Sequence, residues 1–110
     1  MSVNMDERVK RRVNQIKEHL AKIYGEKIRR VILYGSCARG QATTDSDIDV
    51  LLLVDESLDP FEVRENLSDI LFDMVLDEGD MVSVMAVPEN FFETYNSPFM
   101  LNVKKEGVTA

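Results

Sequence analysis

Two aspartates near the middle of the chain, Asp47 and Asp49, are the residues best suited by type and spacing to do chemistry. They stand at the start of the apolar run Ile48–Val54, which predicts a strand, and side chains on a strand alternate between its faces. Both carboxylates would therefore point to one side of a sheet, about 6–7 Å apart. Two such charges repel each other unless a cation or solvent separates them. Mg²⁺ takes oxygen ligands from one or two carboxylates together with phosphates and waters, so the pair predicts a Mg²⁺ site.

A loop rich in small and polar residues precedes the aspartates and follows the apolar run Val31–Tyr34. Gly35 permits close approach of the backbone to a ligand, and exposed N–H groups there, with the Ser36 hydroxyl, can hold phosphate oxygens. Arg39 adds a forked cation suited to phosphate. If the two apolar runs form neighbouring strands, a triphosphate with its Mg²⁺ would bridge the loop and the aspartates. Each motif alone is ordinary as a turn or a strand entry, but their order and spacing favour a functional site.

Hydropathy patterns predict the elements that position these residues. Apolar residues at intervals of three and four predict an amphipathic helix from Asn4 to Tyr24, capped by Asn4 and stopped by Gly25. Asp59 favours the start of a second helix, which Gly79 ends. The other predicted elements are the strands 31–34, 48–54 and 81–87, a short helix around 91–95 and a last helix from 97 to 107. This order predicts one domain over residues 1–110, an α+β (α/β) fold with a small mixed sheet of three or four strands flanked by helices.

The composition of the chain bounds the class of protein. Its 110 residues are 45% hydrophobic and 30% charged, as in a globular domain rather than a disordered chain. The single cysteine excludes an intrachain disulfide, and the apolar runs fall far short of the ~18 residues that a membrane span needs. Charged residues stand where a signal peptide would be apolar, so we expect a cytoplasmic protein with no membrane partner. The sequence leaves the oligomeric state open, a homo-oligomer included.

The net charge of −7 conceals an asymmetry along the chain. Residues 1–30 hold nine basic and four acidic side chains, whereas the remainder holds four basic and sixteen acidic ones. Nucleic-acid-binding surfaces are basic, so the acidic balance predicts no direct nucleic-acid partner. The basic N-terminal segment is either a solvated helix face or a docking face for an acidic partner.

The stretch from Gly35 to Val54 resembles a known family. Gly35-Ser36, ten intervening residues and Asp47-x-Asp49 resemble the signature of the DNA polymerase β-like nucleotidyltransferase superfamily. The fuller sequence GSCARGQATTDSDIDVLLLV is similar to that of its minimal nucleotidyltransferases, which are small stand-alone domains. The likeness extends over most of the chain and implies the polymerase β-like nucleotidyltransferase fold.

This resemblance also implies a reaction, the transfer of a nucleoside monophosphate, AMP from ATP, to a hydroxyl group with release of pyrophosphate. Two Mg²⁺ ions would sit on the catalytic residues Asp47 and Asp49. The nucleoside triphosphate would be contacted by Gly35, Ser36 and Arg39. Many minimal family members are antitoxins of HEPN-domain ribonucleases, and some attach AMP to a tyrosine of that toxin. The resemblance therefore implies a HEPN-domain protein as the partner.

One position departs from the family pattern. Full members carry a third carboxylate on the later strand, where this chain has Ser83. Asp80, just before that strand, is the nearest acid and a third candidate metal ligand, although alternation places it and Ser83 on opposite faces. A chain without the third carboxylate could still bind Mg²⁺ and a triphosphate. The alternative function is thus a catalytically impaired, nucleotide-binding antitoxin that masks its partner sterically. A third hypothesis is a small-molecule nucleotidyltransferase, but such enzymes usually carry a second domain for the acceptor.

Overall fold

The structure, a computed structural model, describes residues 7–40 and 47–110. Within these ranges the α-helices are α1 (Glu7–Tyr24), α2 (Pro60–Glu65), α3 (Ser68–Glu78), α4 (Glu89–Thr94) and α5 (Pro98–Glu106). The strands are β1 (Ile28–Tyr34), β2 (Ile48–Val54), β3 (Val82–Pro88) and β4 (Val108–Thr109). None of the helices described is both long enough and apolar enough to span a bilayer.

The four strands form one mixed sheet in the order β3-β2-β1-β4. β1 runs antiparallel to both β2 and β4, whereas β2 and β3 are parallel. A parallel pair needs a long crossover connection, and α2 and α3 supply it. The arrangement confirms the predicted mixed sheet flanked by helices. It also confirms that the apolar runs on either side of the loop that begins at Gly35 are neighbouring strands.

Two helical layers cover the sheet, and the alternation of side chains along each strand divides the core between them. Helices α1, α2 and α3 pack on one face, over β2 side chains such as Val50 and Leu52. Helices α4 and α5 pack on the other face, over Leu51 and Leu53. Every residue of β2 is buried except Asp49, which is half-buried. A strand covered on both faces is what its nearly continuous apolar sequence predicts.

The helix predicted between Asp59 and Gly79 is two helices in the structure. Both predicted ends are correct, because the Asp59 side chain accepts a hydrogen bond from the backbone two residues on, and Gly79 ends α3 with a φ of 73°. Between them the chain turns at Asn66. Its carbonyl accepts a hydrogen bond from Nε2 of His19 on α1, at 2.8 Å, so α1 holds this interruption in place.

Two further differences concern the edges of the predicted elements. β1 begins at Ile28, three residues before the predicted strand, because Arg29 and Arg30 extend it with exposed polar side chains. β4 was not predicted, since two residues carry no usable periodicity; it pairs with the middle of β1. The predicted start of α1 at Asn4 lies outside the described residues.

Candidate active site

The two aspartates lie at the start of β2, on the side of the sheet that α4 and α5 cover further along. Asp49 is half-buried within the strand, and Asp47, immediately before it, is exposed. Alternation places Asp49 on the same face as Leu51 and Leu53. Burial, and then the negative charge of Asp47, raise the pKa of Asp49. Two carboxylates that repel each other in this way would both be stabilised by a cation bound between them.

Gly35 lies directly against the carboxylate of Asp49. The residue before it, Tyr34, stands opposite Asp49 in the antiparallel pairing of β1 with β2. Gly35 has a φ of +75°, and a Cβ atom added there would lie 2.5 Å from Oδ2 of Asp49. Glycine is therefore required twice at this position, for its left-handed backbone and for the absence of a side chain. The structure thus brings together the start of the predicted phosphate-binding loop and one of the predicted metal ligands.

The segment 35–40, called the Gly35 loop below, is tightly turned and tied to the aspartates. The backbone N–H groups of Ala38 and Arg39 donate to the Gly35 carbonyl at 3.1 and 3.3 Å. Cys37 is buried, and its Sγ donates to the Asp47 carbonyl at 3.5 Å. Ser36 follows Gly35 within this turn and is half-buried. The position of the loop relative to the aspartates is therefore set by hydrogen bonding and packing.

Arg39 stands at the rim of a cleft of about 240 Å³ between the Gly35 loop and α5. We call it the α5 cleft; it is lined by Tyr34, Gly35, Arg39, Phe99, Asn102, Val103 and Glu106. Nη1 of Arg39 lies 3.3 Å from Oε2 of Glu106, and both side chains are partly exposed. The sequence predicted Arg39 as a phosphate contact but did not single out the polar side chains of α5. The one available signal was their spacing, since positions 102 and 106 share a helix face.

Ser83 occupies the position next to Asp49 in the sheet. β2 and β3 pair in parallel with Asp49 in register with Ser83, and Ser83 is exposed. Side chains in register on neighbouring strands lie on the same face. The expectation that a serine stands where full family members have a third carboxylate is consistent with this register.

Asp80 is held on the other side of the sheet, and the structure removes it from the candidate metal ligands. It is 1% exposed, with Oδ1 lying 2.6 Å from Nη1 of Arg8 and Oδ2 lying 2.7 Å from Nε of Arg12. Burial raises the pKa of Asp80, but the hydrogen bonds from Arg12 and Arg8 outweigh it and hold the pKa below its ordinary value. Both carboxylate oxygens are thus engaged by α1, in the layer opposite Asp49.

The basic N-terminal segment also finds partners within the molecule. Nη2 of Arg11 lies 2.7 Å from Oε2 of Glu78, and Nη2 of Arg12 lies 3.1 Å from Oδ2 of Asp77. The acidic end of α3 therefore balances part of the positive charge of α1. These contacts count against Arg11 and Arg12 as a docking face for an acidic partner, since their charges already join the two helices.

The donor set at the candidate site fits a magnesium triphosphate. Over residues 7–40 and 47–110, no three His, Cys, Asp or Glu side chains come together as a metal-binding group. The two carboxylates of Asp47 and Asp49 would bind Mg²⁺ weakly alone, and Mg²⁺ characteristically completes its shell with phosphate oxygens and water. The Gly35 loop lies beside these aspartates, within reach of phosphates that a Mg²⁺ ion there would bind. This arrangement suits phosphoryl transfer, in which positioning and charge neutralisation do most of the work.

The sequence of the chain matches the family of polymerase beta nucleotidyltransferases over residues 14–104. The chain belongs to this family. The matched region contains the Gly35 loop, both aspartates and the position of Ser83. A relative from Methanocaldococcus jannaschii, the candidate protein adenylyltransferase MJ0604, is 31% identical over 106 residues, which are 96% of each chain.

Solved structures share the fold of this nucleotidyltransferase. A candidate nucleotidyltransferase from Sulfolobus solfataricus superposes with a TM-score of 0.64 at 20% identity, covering 93% of this chain and 78% of that one. A toxin–antitoxin complex crystallised with AMP-PNP superposes with a TM-score of 0.57 at 21% identity, covering 87% of this chain and 69% of that one. These similarities confirm the predicted polymerase β-like nucleotidyltransferase fold.

Proposed function

We propose that this nucleotidyltransferase transfers AMP from ATP to a hydroxyl group of a partner protein, in a Mg²⁺-dependent reaction. The observation that carries the proposal is the contact of Gly35 with Asp49, which joins a phosphate-binding loop to a pair of carboxylates. The acceptor oxygen would form a bond to the α-phosphorus while the bond to the β-phosphate breaks. Pyrophosphate leaves, and the hydroxyl proton passes to solvent or to a nearby base.

Each residue of the site has a distinct part in this reaction. Asp47 and Asp49 would hold Mg²⁺, which supplies charge neutralisation at the phosphates and a lowered pKa at the attacking hydroxyl. The backbone at Gly35 and the Ser36 hydroxyl would hold the triphosphate chain, and Arg39 would add a positive charge beside it. A carboxylate binds Mg²⁺ only when it is ionised, so the raised pKa of Asp49 makes Mg²⁺ binding depend on pH.

The acceptor in this proposal is a HEPN-domain toxin, with the chain as its antitoxin. The family resemblance supports this partner, and one structure of the same fold is a toxin–antitoxin complex with AMP-PNP.

A second candidate function is neutralisation of the partner by binding alone. The position of Ser83 favours it, because a serine beside Asp49 neither binds Mg²⁺ as a carboxylate does nor removes the acceptor's proton at neutral pH. Such an antitoxin would still bind Mg²⁺ and a triphosphate at Asp47 and Asp49.

Labelling of a HEPN-domain partner distinguishes the two functions. The chain is incubated with Mg²⁺, the partner and ATP labelled at its α-phosphate, as wild type and as Asp47→Asn, Asp49→Asn and Asp73→Asn. Asp73 is an exposed aspartate on α3, in the opposite layer, and serves as the matched control. Transfer of label that only the first two variants abolish supports adenylylation. Neutralisation of the partner without any label, unchanged in all three variants, supports steric masking instead.

A further inference from the structure

The α5 cleft adjoins the candidate metal site at Gly35. Gly35 contributes to its wall and, on its other side, lies against the Asp49 carboxylate. A triphosphate held by the Gly35 loop would therefore extend its nucleoside either into this cleft or into solvent. A volume of about 240 Å³ is enough for a nucleobase, whose planar ring is small compared with typical ligand pockets.

The inner walls of the α5 cleft are aromatic and apolar. The rings of Tyr34 and Phe99 meet edge to face, with centroids 5.4 Å apart and planes at 87°. Val103 is buried beside them, and Tyr34 and Phe99 are half-buried. Aromatic and apolar surfaces of this kind favour the face of a base, with each stacked base contributing to affinity independently of its identity.

The rim of the cleft carries a side chain that could read the edge of the base. Asn102 is exposed, and its amide forms no hydrogen bond with another described residue. An asparagine amide offers one donor and one acceptor side by side, which matches the N7 acceptor and N6 amino donor of adenine. Guanine presents two acceptors, N7 and O6, at the same edge. One amide cannot satisfy both of them.

We propose that the α5 cleft binds the nucleobase of the triphosphate and that Asn102 makes this site prefer adenine over guanine. This inference rests on the proposed function, since it assumes that the Gly35 loop holds the phosphates. The Arg39–Glu106 ion pair at the mouth of the cleft would keep the negative charge of Glu106 from repelling a bound polyphosphate. Asn102 is thus a specificity-determining residue and takes no part in the transfer itself.

Equilibrium binding without an acceptor protein tests the inference. Dissociation constants are measured by calorimetry for the Mg²⁺ complexes of ATP, GTP and inorganic tripolyphosphate, with wild type, Asn102→Ala and Asn14→Ala. Asn14 is an exposed asparagine on α1, in the opposite layer, and is the matched control. We expect wild type and Asn14→Ala to bind ATP about tenfold more tightly than GTP, as one paired amide typically allows. Asn102→Ala should lose this preference while its affinity for tripolyphosphate stays the same.

The three ligands separate failure of this inference from failure of the proposed function. Equal affinities for ATP and GTP in the wild type, or a preference that survives in Asn102→Ala, overturn the role of Asn102, and nucleotides that bind no more tightly than tripolyphosphate overturn the base-binding role of the cleft. Tripolyphosphate binding that persists in that case leaves the phosphate site standing. Absence of binding for all three ligands overturns the proposed function and this inference together. Because Asn102 is exposed, its replacement should leave the unfolding temperature unchanged, which is measured alongside.

Discussion

Replacement of Gly35 by alanine should separate the stability of the fold from the function of the site. The new Cβ would lie 2.5 Å from Oδ2 of Asp49, where ordinary van der Waals contact begins at 3.4 Å. The carboxylate is the free end of a side chain, so it can rotate away by roughly 1 Å, and a displacement of that size can cost about 100-fold in rate. The left-handed backbone adds about 1–2 kcal/mol of destabilisation to any residue with a Cβ.

Gly79→Ala provides the matched control for this prediction. Gly79 has a φ of +73°, close to the +75° of Gly35, but a Cβ there meets no atom within 4 Å. Both variants should lose about 1–2 kcal/mol of unfolding free energy in urea titrations. Only Gly35→Ala should lose AMP transfer and Mg²⁺–ATP affinity. Wild-type activity in Gly35→Ala, or an equal loss in Gly79→Ala, would refute the argument that the glycine exists to make room for the Asp49 carboxylate.

Three further predictions concern polar and charged side chains, two at the candidate site and one, Asp80, in the opposite layer. Asp80→Asn should cost about 3 kcal/mol of stability, because it removes the buried carboxylate that pairs with Arg12 and leaves only the exposed Asp77 and Glu78 beside that guanidinium. The lowered pKa of Asp80 means that its stabilisation is complete above about pH 4 and is lost as the pH falls through the folded-state pKa, so acid titrations of wild type and variant should converge there. Ser83→Asp should raise the transfer rate about 100-fold, which is the usual contribution of a general base. It should lower the unfolding temperature only when Mg²⁺ is removed. An unchanged transfer rate would show that residue 83 does not reach the acceptor. Because the pKa of Asp49 is raised, Mg²⁺–ATP binding should begin to weaken, as the pH falls, before the ordinary aspartate pKa of about 4 is reached. Calorimetry showing constant affinity down to about pH 4 would contradict this.

The sequence was sufficient to predict the parts of the site that depend on local pattern. The strand at 48–54 follows from an apolar run, and its alternation places Asp49 on the face away from Val50. The capping role of Asp59 and the terminating role of Gly79 are also local, since each depends on the backbone within a few residues.

The features that the sequence did not reveal depend on contacts between distant elements. Asp80 was a candidate metal ligand because it stood near the right strand, but its partners Arg8 and Arg12 are about seventy residues away in the chain. The interruption at Asn66 likewise depends on His19, on another helix. The placement of α5 beside the Gly35 loop depends on packing over β2, which the α5 sequence alone does not specify.

The antiparallel pairing of β1 with β2 sets the relative positions of the Gly35 loop and Asp49. Tyr34 stands opposite Asp49, and this one pairing sets both the gap at Gly35 and the side of the sheet to which the carboxylate points. A slip of one residue would turn Asp49 into the apolar layer beneath α1 and separate it from the loop. The buried side chains of Leu33 and Val50, which face each other one pair further in, resist such a slip. The geometry of the candidate site is therefore set by the core, and substitutions at these two apolar positions should weaken Mg²⁺–ATP binding without changing any residue proposed to contact the ligand.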